Sequence, residues 1–233
     1  MQIFVYFCSK INQIFMKQTL CTHWHTLLCA LALVIALTAS VSASAYTLTY
    51  LYVDYDMTAS VSGSEERTQL SGDVVIPSTV VYEGDTYTVT SIHSGAFWFC
   101  KSLTSIEIPN TVIEIGAFAF EYCSSLTSIE IPNSVITLGD HAFWGCTGLK
   151  SIILPSSITT LNDGTFLECS SLESIKIPES VTKIGDYAFK DCSSLTFVEL
   201  PNSVSEIGDY AFFRCIYNHR TTKTNQKYPS VNL

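Results

Sequence analysis

Residues 169–192 read CSSLESIKIPESVTKIGDYAFKDC, and this stretch decides the fold because the chain repeats it. Cys100, Cys123, Cys146, Cys169, Cys192 and Cys215 are each 23 residues apart. Pro109, Pro132, Pro155, Pro178 and Pro201 keep the same interval, and so do Phe97, Phe120, Phe143, Phe166, Phe189 and Phe212. Three residue types in one register mark a solenoid of short structural repeats.

The unit that starts at Ser125 shows how one coil closes. Ile129 and Ile131 flank Glu130, the period-2 alternation of a short strand with one buried face, and Pro132 ends that strand because it has no N–H for the ladder. Val135 and Leu138 supply a second apolar contact. Gly139 is expected to give the backbone freedom to bend before Ala142-Phe143, where the spacing predicts a single helical or 3₁₀ turn. About eight buried apolar side chains at roughly 2 kcal/mol each face roughly 1–2 kcal/mol of backbone entropy per residue, so one coil does not fold alone. Stacking sets like residues of adjacent coils over one another and pairs their strands into a parallel ladder.

Upstream the frame loosens. Asp73 to Val80 is another strand-plus-proline unit, but its Pro77 lies 32 residues before Pro109, nine more than the repeat. The extra residues fall around Tyr82-Glu83-Gly84-Asp85-Thr86-Tyr87, a hairpin signal. Residues 46–90 are expected to form an N-terminal β-rich cap and a degenerate first repeat, followed by the solenoid at 91–215. After Cys215 the frame stops, and 216–233 reads as a non-repeat tail from a truncated or frameshifted end.

The first 45 residues read as a signal peptide. Lys17 follows Met16, Leu27 to Leu37 form an apolar run, and Ala43-Ser44-Ala45 offers small residues for cleavage, with Met16 the expected start. Export to the cell surface or beyond is the expected localisation. The formal net charge is −9, and every acidic side chain lies after Ala45. Such a chain repels phosphate backbones and anionic headgroups, which argues against nucleic acid and against direct membrane binding after cleavage.

The frame Cys-x-x-Leu-x-x-Ile-x-Ile-Pro-x-Ser-Val-x-x-Ile-Gly-x-x-Ala-Phe-x-x-Cys, best seen from Cys169 to Cys215, resembles the BspA-type leucine-rich repeats of bacterial surface proteins. The resemblance covers 74–215, and the lead-in from Ser71 to Ile92 is similar to the non-repeat start of Bacteroidetes members. It implies a leucine-rich-repeat solenoid on the outer surface that adheres to host matrix proteins or to other bacteria. Coil 147–169 departs from the frame: Asn162 replaces the glycine, and Gly164-Thr165-Phe166 replaces Tyr-Ala-Phe, which should perturb one turn.

Catalysis finds little footing, because the histidines beyond residue 45, His93, His141 and His219, sit in no nucleophile, metal or phosphate motif. The cysteine column is read as buried free thiols acting as small hydrophobes: parallel side chains in register suit neither a disulfide torsion nor four converging zinc ligands. No cofactor is expected. The candidate partner-binding residues are the strand column Glu107, Glu130, Ile153, Lys176 and Glu199, and an aromatic column before the cysteines containing Trp98, Tyr122 and Trp144. The expected partner is an extracellular or cell-surface protein. A glycan held by the three aromatics and a passive spacer within a larger envelope protein are the alternatives.

Overall fold

The computed structural model describes residues 48–53, 56–64 and 70–215. The expected signal peptide and C-terminal tail lie outside them. Coils are numbered here by their closing cysteine, from coil 1 at Cys100 to coil 6 at Cys215.

Five strands precede the regular array: β1 Leu48–Val53, β2 Thr58–Ser64, β3 Ser71–Val75, β4 Thr79–Tyr82 and β5 Asp85–Ile92. Each later coil carries two short strands. The first of each coil are β6 Ser102–Glu107, β8 Ser128–Glu130, β10 Ser151–Ile153, β12 Ser174–Lys176 and β14 Phe197–Glu199. The second are β7 Glu114–Ile115, β9 Thr137–Leu138, β11 Thr160–Leu161, β13 Lys183–Ile184 and β15 Glu206–Ile207.

These strands stack into two parallel columns whose register advances by one repeat per coil. Ile129 faces Ile152 and Ile175 faces Val198 in the first column; Ile115 faces Leu138 and Ile184 faces Ile207 in the second. The first column pairs as β3–β6, β8–β10 and β12–β14, and a bond from Glu173 N–H to Lys150 O (3.3 Å) links the coils of β10 and β12. Proline keeps its strands short, since Pro109, Pro132, Pro155 and Pro178 each follow two residues after the strand ends or sooner.

A third side of the coil joins the two columns, and here the expected helical or 3₁₀ turn is not what forms. The residues before each cysteine are turns in which successive N–H groups alternate between two partners. Ala96, Trp98 and Cys100 donate to carbonyls three residues back in their own coil, while Gly95, Phe97 and Phe99 donate to Ala117, Ala119 and Glu121 of the next coil. Left-handed residues recur in step: Phe118, His141, Tyr187 and Tyr210 at one position, and Phe99, Tyr122, Glu168, Asp191 and Arg214 at another, all with φ between 55° and 61°. A left-handed residue every few positions breaks a helix at about 1–2 kcal/mol each, and the hydrogen bonds to the neighbouring coil offset that cost.

The core runs the length of the stack as columns of Leu, Ile, Val, Ala, Phe and Cys. The six phenyl rings from Phe97 to Phe212 stack at centroid separations of 5.2–5.6 Å. The thiols are free and do more than fill space: Cys123, Cys146, Cys169, Cys192 and Cys215 each donate to the carbonyl of the phenylalanine 26 residues earlier, at 3.0–3.2 Å.

Gly139 is needed for closeness, and not for the bend expected from the sequence. Its φ is not positive, and a Cβ there would collide with the backbone of Gly116 and Ala117 one coil earlier; Gly116, Gly185 and Gly208 are in the same position. These glycines donate across the gap, as from Gly139 N–H to Ile115 O at 2.8 Å. Where Asn162 stands in that column, its side-chain amide donates to Leu138 O at 2.6 Å, and Thr165 Oγ1 donates to Asn162 O at 2.7 Å. The second strand column is interrupted at this place, between β9 and β11, and the phenyl stack has its widest step, 5.6 Å from Phe143 to Phe166.

Strands β1, β2 and β5 extend the second column, while β3 begins the first. The β1–β2 hairpin lays β2 parallel to β5, and β4 folds back antiparallel on β5 through Glu83-Gly84, both with positive φ (50° and 97°) as a two-residue hairpin turn demands. Tyr52 packs against Tyr82 and Tyr87 at 4.7 and 4.9 Å, an aromatic cluster of a kind distinct from the phenyl column of the repeats.

Candidate partner-binding surfaces

Period-2 alternation in the first strand column turns one residue of each strand outward between inward-facing Ile, Val or Leu. Glu107, Glu130, Ile153, Lys176 and Glu199 all occupy that position and are all exposed. Register holds them in one line: Glu107 beside Val75, Glu130 beside Ile153, Lys176 beside Glu199. Ile153, at 61 % exposure, and Phe197, at 45 %, are large apolar groups left in water on this face.

The turn side is the second surface. The single aromatic column expected there is two adjacent columns. Trp98, Glu121, Trp144, Leu167, Lys190 and Phe213 form one, and Phe99, Tyr122, Gly145, Glu168, Asp191 and Arg214 the other. Trp98, Tyr122 and Trp144 nevertheless belong to one connected set of rings. Trp98 meets Phe99 edge-on at 5.0 Å, Phe99 meets Tyr122 at 4.8 Å, and Tyr122 meets Trp144 at 5.3 Å. The chain of rings continues from Trp144 to His141 at 5.5 Å and from His141 to Phe118 at 5.3 Å.

Phe118, His141 and Glu121 are not among the binding candidates read from the sequence, although 23-residue arithmetic places Glu121 between Trp98 and Trp144. Its carboxyl is pushed above the usual range by burial, against the Trp98 indole hydrogen bond and the charge of His141, which pull it down. The Tyr122 hydroxyl is likewise raised, by burial first and then by the Glu168 and Glu121 carboxylates. His141 Nδ1 and Trp144 Nε1 are buried without a hydrogen-bond partner among the described residues.

In coils 5 and 6 the same columns are quenched by resident cations. Lys190 lies 5.5 Å from the Tyr187 ring centroid, Arg214 lies 5.2 Å from that of Phe213, and Arg214 also pairs with Asp191 at 3.4 Å. Among the described residues, no helix is long and apolar enough to cross a membrane, and no group of three or more His, Cys, Asp or Glu is placed to hold a metal ion.

No curated protein matches the chain. Among solved structures, it is similar to the T. pallidum leucine-rich repeat protein TpLRR, with 27% identity over 72% of this chain and 86% of that one and a TM-score of 0.62. It is also similar to a leucine-rich cell surface protein of Faecalibacterium prausnitzii, with 27% identity, 79% of this chain covered and a TM-score of 0.63. The chain covers 54% of the Faecalibacterium protein, so it spans about half of that relative. The model of the BspA type leucine-rich repeat region matches six copies over residues 90–219. With more than half of its length accounted for by those copies, the chain belongs to the BspA-type leucine-rich-repeat family, whose scaffolds are generally non-catalytic and suited to binding proteins.

Proposed function

We propose that this protein is exported to the cell surface or beyond and adheres there to a partner protein through the outward strand column. The observation that carries this reading is the contrast within each strand. The inward positions repeat Ile or Val, while the outward ones run Glu107, Glu130, Ile153, Lys176 and Glu199 in one exposed line. A solenoid changes residues there without disturbing its core, so the face can be fitted to a partner. Its chemistry is mixed: three carboxylates, one ammonium and exposed apolar groups at Ile153 and Phe197, a composition suited to a protein interface with an apolar centre and charged rim. The cell-surface description of the Faecalibacterium relative supports the same location.

The test is a binding panel of extracellular matrix proteins and bacterial surface proteins against the wild-type chain and the Glu107→Lys/Glu130→Lys/Glu199→Lys variant. Capture by the wild type and at least about tenfold weaker capture by the variant is expected. A wild type that binds nothing on the panel, or a variant that binds as well, removes the reading.

A further inference from the structure

Glu107, Glu130, Ile153 and Lys176 stand one per coil from coil 2 to coil 5, all exposed, in a line that crosses the strands. Inside the stack the phenyl rings advance by 5.2–5.6 Å per coil. Hydrogen-bonded strands lie about 4.8 Å apart, so the four outward side chains span about 15 Å in steps of about 5 Å.

That step suits one kind of backbone better than another. An α-helix rises about 1.5 Å per residue, so side chains at i, i+3, i+7 and i+10 fall on one face at about 0, 4.5, 10.5 and 15 Å along its axis. An extended segment presents a same-face residue about every 6.8 Å and falls out of step with the coils after the first two. Serine takes the second outward position in coils 3, 4 and 5, at Ser128, Ser151 and Ser174, so small side chains border the line. Phe197, 45 % exposed, takes that position in coil 6 and ends the low shelf.

The line is graded in charge. Glu107 and Glu130 have no lysine or arginine in β6 or β8, Ile153 follows at 61 % exposure, and coils 4 and 5 add Lys150 and Lys176. None of the four charged side chains Glu107, Glu130, Lys176 and Glu199 enters an ion pair among the described residues. Lys176 and Glu199 are register neighbours, as Lys183 and Glu206 are in the second column, yet only the second pair closes, at 2.7 Å. The strand face thus keeps its charges free for a partner.

We propose that the partner protein engages this face with an amphipathic α-helix laid along the solenoid axis. Two cationic side chains of the helix meet Glu107 and Glu130, an aliphatic one covers Ile153, and an acidic one meets Lys176. The inference rests on the protein-binding reading and names the partner's element for that same site.

The experiment measures fluorescence anisotropy of a labelled, alanine-rich helical peptide titrated with the full chain. The peptide carries lysine at its fifth and eighth positions, leucine at its twelfth and glutamate at its fifteenth. One control replaces both lysines by glutamine, and the other breaks the helix with a central proline. Saturable binding of the first peptide is expected, with at least about tenfold weaker binding of either control. Glu107→Gln/Glu130→Gln should weaken binding about tenfold at low salt and flatten its salt dependence. Ile153→Ser should weaken it about fivefold and leave the salt dependence as in wild type. Glu114→Gln, which removes a charge from the second column, should bind within about twofold of wild type. All these positions are exposed, so unchanged unfolding midpoints will show that the variants fold. No saturable binding, equal binding of either control peptide, undiminished binding by Ile153→Ser, or a Glu114→Gln as damaging as the strand-face pair overturns the helix site. Capture on the protein panel that is lost on strand-face charge reversal, with no binding of the helical peptide, would sink this inference alone. Helical-peptide binding with no capture on the panel would sink only the protein-binding reading.

Discussion

Each inner thiol is fixed as a donor. The Phe120 carbonyl accepts the Cys123 N–H of its own coil at 3.1 Å and the Cys146 Sγ–H of the next at 3.1 Å, so one atom ties two coils together. A thiolate cannot donate, and burial pushes the Cys146 thiol up to about 12, with Cys123 and Cys169 also raised well above the ordinary range by burial first and Cys146 next. The folded chain thus holds these protons at pH values where the unfolded chain has lost them. Stability is fully present below the unfolded thiol value and is lost as pH rises from there towards the folded one. Urea unfolding between pH 7 and 10.5 should show it, each buried thiol adding a slope of up to about 1.4 kcal/mol per pH unit. Cys146→Ala should be about 1–2 kcal/mol less stable at pH 7 yet lose less on alkalinisation, one proton fewer being at stake. Parallel slopes for wild type and variant would mean that Cys146 ionises in the folded coil.

At the scale of the strand and turn, the one irregular coil tests what the glycine column does. Asn162 and Thr165 depart from the frame together, and they touch: the threonine hydroxyl donates to the Asn162 carbonyl while the asparagine amide bridges to Leu138 O. The pair replaces the glycine bond that joins other coils, such as Gly185 N–H to Leu161 O at 2.7 Å. Asn162→Gly and Thr165→Ala should therefore each cost about 1 kcal/mol alone, while the double variant restores the regular glycine-alanine turn and should cost less than the sum by about 1 kcal/mol. A double-mutant cycle by urea unfolding measures that coupling, and strict additivity would refute it. Period arithmetic makes the strand column legible, because alternation around Glu130 fixes which residues face out. It also makes the Asn162 defect visible as a broken frame. The turn is not legible in the same way. Ala142-Phe143 is helix-compatible by composition, and nothing in the letters shows that every second N–H will leave its own coil for the next. Glu121 was hidden for another reason: a carboxylate whose column neighbours are two tryptophans a coil away reads as surface charge until the turn is seen to bury it.

For the whole molecule, a register of 23 residues means that a coil is removable only as a unit. Excising residues 147–169 joins Cys146 to Ser170 and keeps every later side chain in its column, whereas excising 148–169 joins Thr147 to Ser170 and displaces Ser170 and all that follows by one place. The first deletion should fold with its β signal and cooperative unfolding intact and with a denaturant slope lower by about one sixth, in proportion to the surface lost. The second should lose cooperativity in everything beyond coil 3. A sharper expectation follows from where the second strand column is interrupted. Coil 4 contributes the β9–β11 gap and the widest phenyl step, so its excision brings Gly185 of coil 5 against coil 3 and closes that column. Excising 124–146 instead removes a coil with an intact Gly139 bond and leaves Asn162 in place. Because stability in a stack is a sum of coils and of their contacts, the deletion of coil 4 should be less destabilising than the deletion of coil 3. Urea midpoints of the two deletions compare them directly, and the reverse order would show that the Asn162 and Thr165 bonds hold their interface as firmly as a glycine does.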